Sequence, residues 1–130
     1  MQGAGKPGYD AIHLTPQKTL VICFAEGSLT YKTAPDLTLR LGDVVRQHLS
    51  DGCQHLVLDF ARIHLIDSSG VTLVSAMRNL MTPHGTLQLC TLRPHVVKIF
   101  ELLGLTRQLR IRASRDEALA AIDGEPPQNQ

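Results

Sequence analysis

The stretch "HLVLDFARIHLIDSSGVTLVSAMRNL", His55–Leu80, decides how this chain folds. It opens with "HLVLDF", an apolar run short enough to be a buried strand. From Gly70 onward Leu73, Val74, Met77, Leu80 and Met81 recur at helical spacing. Between the two, "ARIHLI" carries the chain to a polar turn, "DSSG", Asp67–Gly70. A buried strand that feeds an amphipathic helix is the building block of a sheet with crossover helices.

The same alternation continues on both sides. Upstream, "AIHLT" predicts a short strand turned by Pro16-Gln17-Lys18, and "TLVICFA" a buried one. "EGSLTYKT" reads as a loop. Thr33 as N-cap, Pro35 in the first turn and Asp36 three residues after the cap predict a helix start. Leu37, Leu41, Val44, Val45 and His48 share one face of that helix, and Asp51-Gly52 ends it. Downstream, Pro83 and Gly85 stop the central helix. "TLQLCTL" alternates as a strand does. Pro94 opens a further helix with Val96, Ile99, Phe100 and Leu103 on one face and Gly104 just past its end. "LRIR" predicts a short strand, and Ser114 with Glu117 a capping box for a last helix from Arg115 to Ile122. The expectation is one α/β domain over residues 11–122 with a largely parallel sheet, a flexible segment at 1–10 and a flexible tail at 123–130.

Bulk properties narrow the function. The chain has 130 residues, 43% hydrophobic and 19% charged, which suits a single globular core. A net charge of +1 gives no global pull toward nucleic acid or an acidic membrane. No apolar run approaches the roughly 20 residues of a membrane span, and "MQGAGKPGYD" lacks the apolar segment of a secretory signal. A cytoplasmic protein without direct membrane insertion is expected. "GAGKPG" fails as a phosphate loop, because no strand precedes it and Pro7 stands where Ser or Thr is needed. Three cysteines, Cys23, Cys53 and Cys90, suit free thiols in a reducing compartment. The six histidines have no metal-ligand spacing, so neither metal nor cofactor is expected.

The DSSG turn is the candidate site, because ligands and partners of open α/β sheets meet the loops at the carboxyl ends of the strands. One reading is structural: Ser69 caps the helix, Asp67 complements its dipole, and Gly70 eases a tight turn. The other is modification of Ser68. A phosphate there gains only about 0.3–1 kcal/mol from an exposed helix N-terminus, and Asp67 repels it. The fold should hardly respond. An interface should, because the group adds about −1.5 to −2 charges, and burying them without cations opposite costs several kcal/mol. A catalytic reading of His64, Asp67 and Ser68 is weak. No G-x-S-x-G elbow is present, and an Asp next to the Ser is poorly placed to orient a histidine base. The protein is therefore expected not to be an enzyme.

"RQLRIRASR" gathers Arg107, Arg110, Arg112 and Arg115. Either these arginines solvate an edge strand and keep it from pairing, or they meet an acidic partner or a phosphorylated group. Aromatics are 4% of the chain and are not interleaved with the arginines, which argues against stacking on nucleic acid.

Taken in order, "HLVLDFARIHLIDSSGVTLVSAMRNL", "GTLQLC", "VVKIFELLGLTRQLRI" and "SRDEALAAI" resemble the STAS domain family, most nearly its anti-sigma factor antagonists. The resemblance runs from about Leu14 to Ile122. It implies a mixed sheet of four to five strands flanked by about four helices. It implies a partner, an anti-sigma factor that is often itself a serine kinase, and a phosphatase that reverses the kinase. The phosphorylated Ser of the family maps onto Ser68. Asp67, Ser69 and Gly70 map onto the partner-facing loop, and Gly27, Ser28, Leu29 and Thr30 onto a G-x-L-D stretch that completes the binding face. The family usually has Asp where this chain has Thr30, which points to a divergent partner. The resemblance is also compatible with an unphosphorylated scaffold subunit of a signalling assembly or a lipid-transport complex. A monomer or weak dimer is expected.

Overall fold

The computed structural model describes residues 8–14 and 16–124. Except for residues 8–10, 123 and 124, the two terminal segments expected to be flexible lie outside the described residues. The elements follow in the order β1 (Tyr9–Leu14), β2 (Thr19–Phe24), β3 (Ser28–Leu29), α1 (Ala34–Ser50), β4 (His55–Asp59), β5 (Leu65–Ile66), α2 (Ser68–Met81), β6 (Thr86–Cys90), α3 (Pro94–Leu102), β7 (Arg110–Arg112) and α4 (Arg115–Asp123). Four helices flank a mixed five-stranded sheet of order β1-β2-β4-β6-β7, as expected. β1 runs antiparallel to β2, and the other three pairings are parallel.

The apolar runs become the central strands because both faces of the sheet are covered. On one face Leu20, Ile22, Phe24, Leu56, Leu58 and Leu89 pack under α1, α2 and α3. On the other, Val21, Val57 and Cys90 pack under Ala118 and Ile122 of α4. The alternation of β6 is that of a fully buried strand whose α4-side residues are polar and stitched: Thr86 Oγ1 meets His55 Nδ1 at 2.8 Å, and Gln88 Oε1 accepts from Arg112 Nε at 2.9 Å. The three cysteines are free thiols. Burial pushes the Cys90 thiol up to about 11 and also raises Cys53 and Cys23, so all three stay protonated near neutrality.

Several local expectations change. β1 begins at Tyr9, two residues before the expected domain start. Thr33 stands at the N-cap position of α1, but its hydroxyl does not cap the helix. It donates to Ser28 O (3.1 Å) and accepts from Thr30 N–H (3.0 Å), closing the preceding loop instead. Leu103 does not join the buried face of α3. The helix ends at Leu102, the chain leaves the helical track, and Leu103 is 55% exposed. Gly104 follows in the left-handed region (φ 71°), as a residue past a helix end should. Ser114 Oγ does accept from Glu117 N–H, at 3.1 Å.

α4 is pinned by charge as well as by packing. Arg115 donates from Nε (3.0 Å) and Nη2 (2.9 Å) to Oδ2 of Asp59, which sits buried at the end of β4. Removing the guanidinium leaves that carboxylate without its cation. Arg115→Met should cost about 2–3 kcal/mol in urea unfolding, less than a fully buried pair because the Arg115 side chain is 38% exposed. Replacing Asp59 by Asn in the same background should recover part of the loss.

Candidate functional site

The chain leaving β2 and the chain leaving β4 meet at the carboxyl end of the sheet. There β3 and β5 form a separate parallel ribbon of two residue pairs, Ser28 with Leu65 and Leu29 with Ile66. The sequence alone reads these segments as loops. His64 N–H and Leu65 N–H both donate to Gly27 O (2.8 and 3.3 Å), and Asp67 N–H donates to Leu29 O (3.1 Å). The ribbon thus brings Gly27, Ser28, Leu29 and Thr30 beside Asp67, Ser68, Ser69 and Gly70. His95, in the first turn of α3, places Nε2 2.6 Å from His64 O. A carbonyl only accepts, so Nε2 carries the proton and ties α3 to the ribbon.

Asp67 organises this junction. It is the N-cap of α2, and Oδ1 accepts from Ser69 N–H (2.8 Å) and Gly70 N–H (3.4 Å). Oδ2 accepts from the N–H of Tyr31 (2.9 Å), in the loop after β3. Ser69 is therefore not the cap: its backbone N–H is a donor to the cap. In a run of Asp-Ser-Ser all three residues can cap, and the helix begins two residues earlier than periodicity suggests. Desolvation pulls the Asp67 carboxyl up, but the N–H groups of Tyr31, Ser69 and Gly70 outweigh it and hold the group below its ordinary value.

Gly70 has a different role from the one expected. It lies inside the first turn of α2, where a Cβ would stand 2.5 Å from Leu29 O and 2.8 Å from Leu29 Cβ. Close approach of α2 to β3, not a tight turn, demands glycine here.

Ser68 is exposed at the first residue of α2. Its carbonyl accepts from Thr72 Oγ1 (2.9 Å), while its own hydroxyl has no hydrogen bond among the described residues. Thr30 is half-buried, and its hydroxyl turns back to accept weakly from Lys32 N–H (3.4 Å). Two residues escaped the sequence reading: Tyr31, 68% exposed with Lys32 Nζ 5.9 Å from its ring centre, and Leu65, 54% exposed on the ribbon. An aromatic in a polar loop was the available signal for Tyr31, since exposed aromatics mark protein interfaces. Of the residues in the weak catalytic reading, Asp67 is committed to backbone N–H groups and His64 offers Ser68 no hydrogen bond. No group of three or more metal-ligating side chains occurs among the described residues.

The sequence profile of the STAS domain family matches residues 11–118. The chain belongs to that family. BtrV of Bordetella bronchiseptica, named as a candidate anti-sigma factor antagonist, is 31% identical over 104 residues, which cover 79% of this chain and 86% of that protein. The unphosphorylated form of the anti-sigma factor antagonist SpoIIAA shares the fold, with a TM-score of 0.67, 24% identity, and 92% of this chain and 99% of that chain covered. The phosphorylated form of the Bacillus cell-fate determinant SpoIIAA gives 0.62 and 24%, over 88% and 98% of the two chains.

Two variants test this geometry. An Asn at position 67 has one carboxamide oxygen and must leave either the α2 cap or Tyr31 N–H without an acceptor, so Asp67→Asn should lower Tm at neutral pH. The Asp67 carboxylate contributes fully above the ordinary carboxylate range, about pH 4, and that contribution is lost as pH falls through the depressed folded-state value. The wild-type advantage should therefore be constant above about pH 5 and close in acid. Gly70→Ala should cost about 1–3 kcal/mol in denaturant unfolding, because the added Cβ would meet both Ile66 Cγ1 and the backbone oxygen of Leu29 at 2.5 Å.

Proposed function

We propose that this protein is an anti-sigma factor antagonist. Its partner is an anti-sigma factor with serine kinase activity, which docks on the ribbon face made by Gly27–Thr30, Tyr31 and Asp67–Gly70. Phosphate on Ser68 switches docking off, and a phosphatase restores it. The observation that carries the reading is the division of labour at the start of α2. Asp67 holds the N–H donors of the first turn, and Ser68 beside it keeps an exposed, uncommitted hydroxyl. Family membership and the name of the Bordetella relative support the same reading.

The energetics follow from that division. A phosphate on Ser68 finds the Ser69 and Gly70 N–H groups already donating to Asp67, and it meets that neighbouring carboxylate. It gains little from the fold and leaves it in place. At an interface the added charge, about −1.5 to −2 at neutral pH, must be desolvated at a cost of several kcal/mol. Each 1.4 kcal/mol or so is a tenfold loss of affinity, so one phosphate suffices to dissolve a micromolar complex. Thr30 supplies a hydroxyl folded onto its own loop rather than the family's carboxylate. The cognate partner then needs no cation opposite that position, and Tyr31 offers apolar area instead.

The test uses the purified chain, wild type and Ser68→Asp, as bait in a lysate of its own organism. A soluble kinase-type protein should be retained by wild type and bound at least about tenfold more weakly by the variant, with Tm within about 1–2 °C of wild type. Incubation with that protein and ATP should place one phosphate on Ser68 and none on Ser68→Ala. Equal retention by both forms of a transporter subunit or a large assembly overturns the switch and favours a scaffold.

A further inference from the structure

The two edges of the main sheet are built differently. β7 is an edge of three residues, two of them arginines, and short charged edges resist pairing with another chain. β1, at the other end of the strand order, has six residues, YDAIHL, with no lysine, arginine or proline. Its register with β2 is unbroken from Tyr9 to Leu14, so no bulge bends it away. Gly8 O accepts from Ala25 N–H (2.9 Å), which makes Gly8 and Ala25 a hydrogen-bonded pair of the antiparallel ladder. Such pairs alternate along a ladder. Asp10, Ile12 and Leu14 therefore bond to β2, while Tyr9, Ala11 and His13 aim their N–H and C=O groups outward. No strand takes those groups among the described residues. Asp10, Ala11, Ile12 and His13 are all exposed, and Ile12, at 38%, leaves a large apolar side chain in water.

We propose that β1 pairs antiparallel with β1 of a second copy of this chain, joining the two sheets across a two-fold axis at Ala11. The strand is complementary to itself. The axis sets Ala11 against its own copy and Tyr9 against the partner's His13 on either side, so every outward residue meets an outward residue. Each such pair exchanges two bonds, about six in all. A slip of one residue sets outward groups against inward ones, and a slip of two leaves one residue of each strand unpaired. The side chains suit the same register. Ala11 is small where the two copies meet, and Ile12 lies diagonal to the partner's Ile12, within apolar reach. The two Asp10 carboxylates lie on the opposite diagonal, and Arg62, which lines one cavity with Asp10, offsets their charge. The contact is smaller than the ~1,200 Å² at which standard interfaces begin, so the dimer is weak and dissociates at micromolar concentrations. It uses no residue of the ribbon or of Asp67–Gly70, so each dimer presents that face twice.

Sedimentation velocity of the full chain from low micromolar to near-millimolar concentration tests this edge. A reversible monomer–dimer equilibrium is expected, with hydrogen exchange at the Tyr9, Ala11 and His13 amides slowing as concentration rises. Ala11→Pro removes an outward N–H and no bond to β2, a placement that edge strands tolerate. It should weaken the dimer at least about tenfold. Ala11→Lys and Ala11→Glu each set like charges opposite one another at the axis, so each alone should be monomeric. An equimolar mixture of the two should dimerise again, because residue 11 then faces its opposite charge. That rescue is independent of whether the proline variant folds. A wild-type chain that stays monomeric throughout overturns the proposal. With those amides protected at every concentration, the edge is covered by residues 1–7 instead; with protection only on adding a different protein, it takes a foreign strand. A dimer that survives in folded Ala11→Pro, or that the Lys and Glu variants form equally well alone and mixed, also overturns it.

Discussion

One carboxylate holds the functional end of this molecule together. Asp67 accepts from the first turn of α2 with one oxygen and from Tyr31, thirty-six residues earlier in the chain, with the other. A helix start has N–H groups with no intrahelical acceptor, and a loop after a two-residue strand has little else to hold it. One side chain answers both needs. Because Asp67 takes this role, the adjacent serine is released from it, and the proposed modification chemistry follows from that release. Had Ser68 been the cap, phosphorylation would have stripped a structural hydrogen bond and disturbed the fold it reports on.

The rest of the domain is arranged so that this junction can be small. The central strands β2, β4 and β6 are buried on both faces, by three helices on one and by α4 on the other. Most of the hydrophobic stabilisation sits there. The ribbon adds two rungs at the carboxyl ends of β2 and β4, and the contact of Gly70 with Leu29 seats α2 against it. No helix among the described residues is long and apolar enough to cross a membrane.

The parts of the fold legible in the sequence are those written by burial. "TLVICFA", "HLVLDF" and "TLQLCTL" are central strands because continuous apolar or alternating runs of that length have few other uses. The helices of the crossovers show in their spacing and in Pro35, Pro94, Ser114 and Gly104. What stayed hidden is set by contacts at long sequence separation. Ser28–Leu29 and Leu65–Ile66 are too short to show any period, and they are strands only because they find each other. The choice of Asp67 over Ser69 as cap turns on where the helix begins, the least legible property of any helix. Gly70 announced that something was special without saying whether φ or proximity was the reason. The four arginines looked like one cluster, but Arg112 and Arg115 turn to Gln88 and Asp59 on the sheet, while Arg107 and Arg110 are exposed before and at the start of β7.

The ribbon is a two-rung ladder with its own sheet, sharing no strand with the main one. Substitutions at exposed Leu65 and at exposed Tyr31 in the loop after β3 therefore change surface chemistry at little expense to the core, since distant, non-contacting sites contribute nearly independently to stability. In evolutionary terms the proposed recognition loop is a detachable module. If it is the docking face, partner preference would drift residue by residue while Asp67 and Gly70 keep the loop seated, and paralogues would diverge to separate partners without any of them having to relearn how to fold.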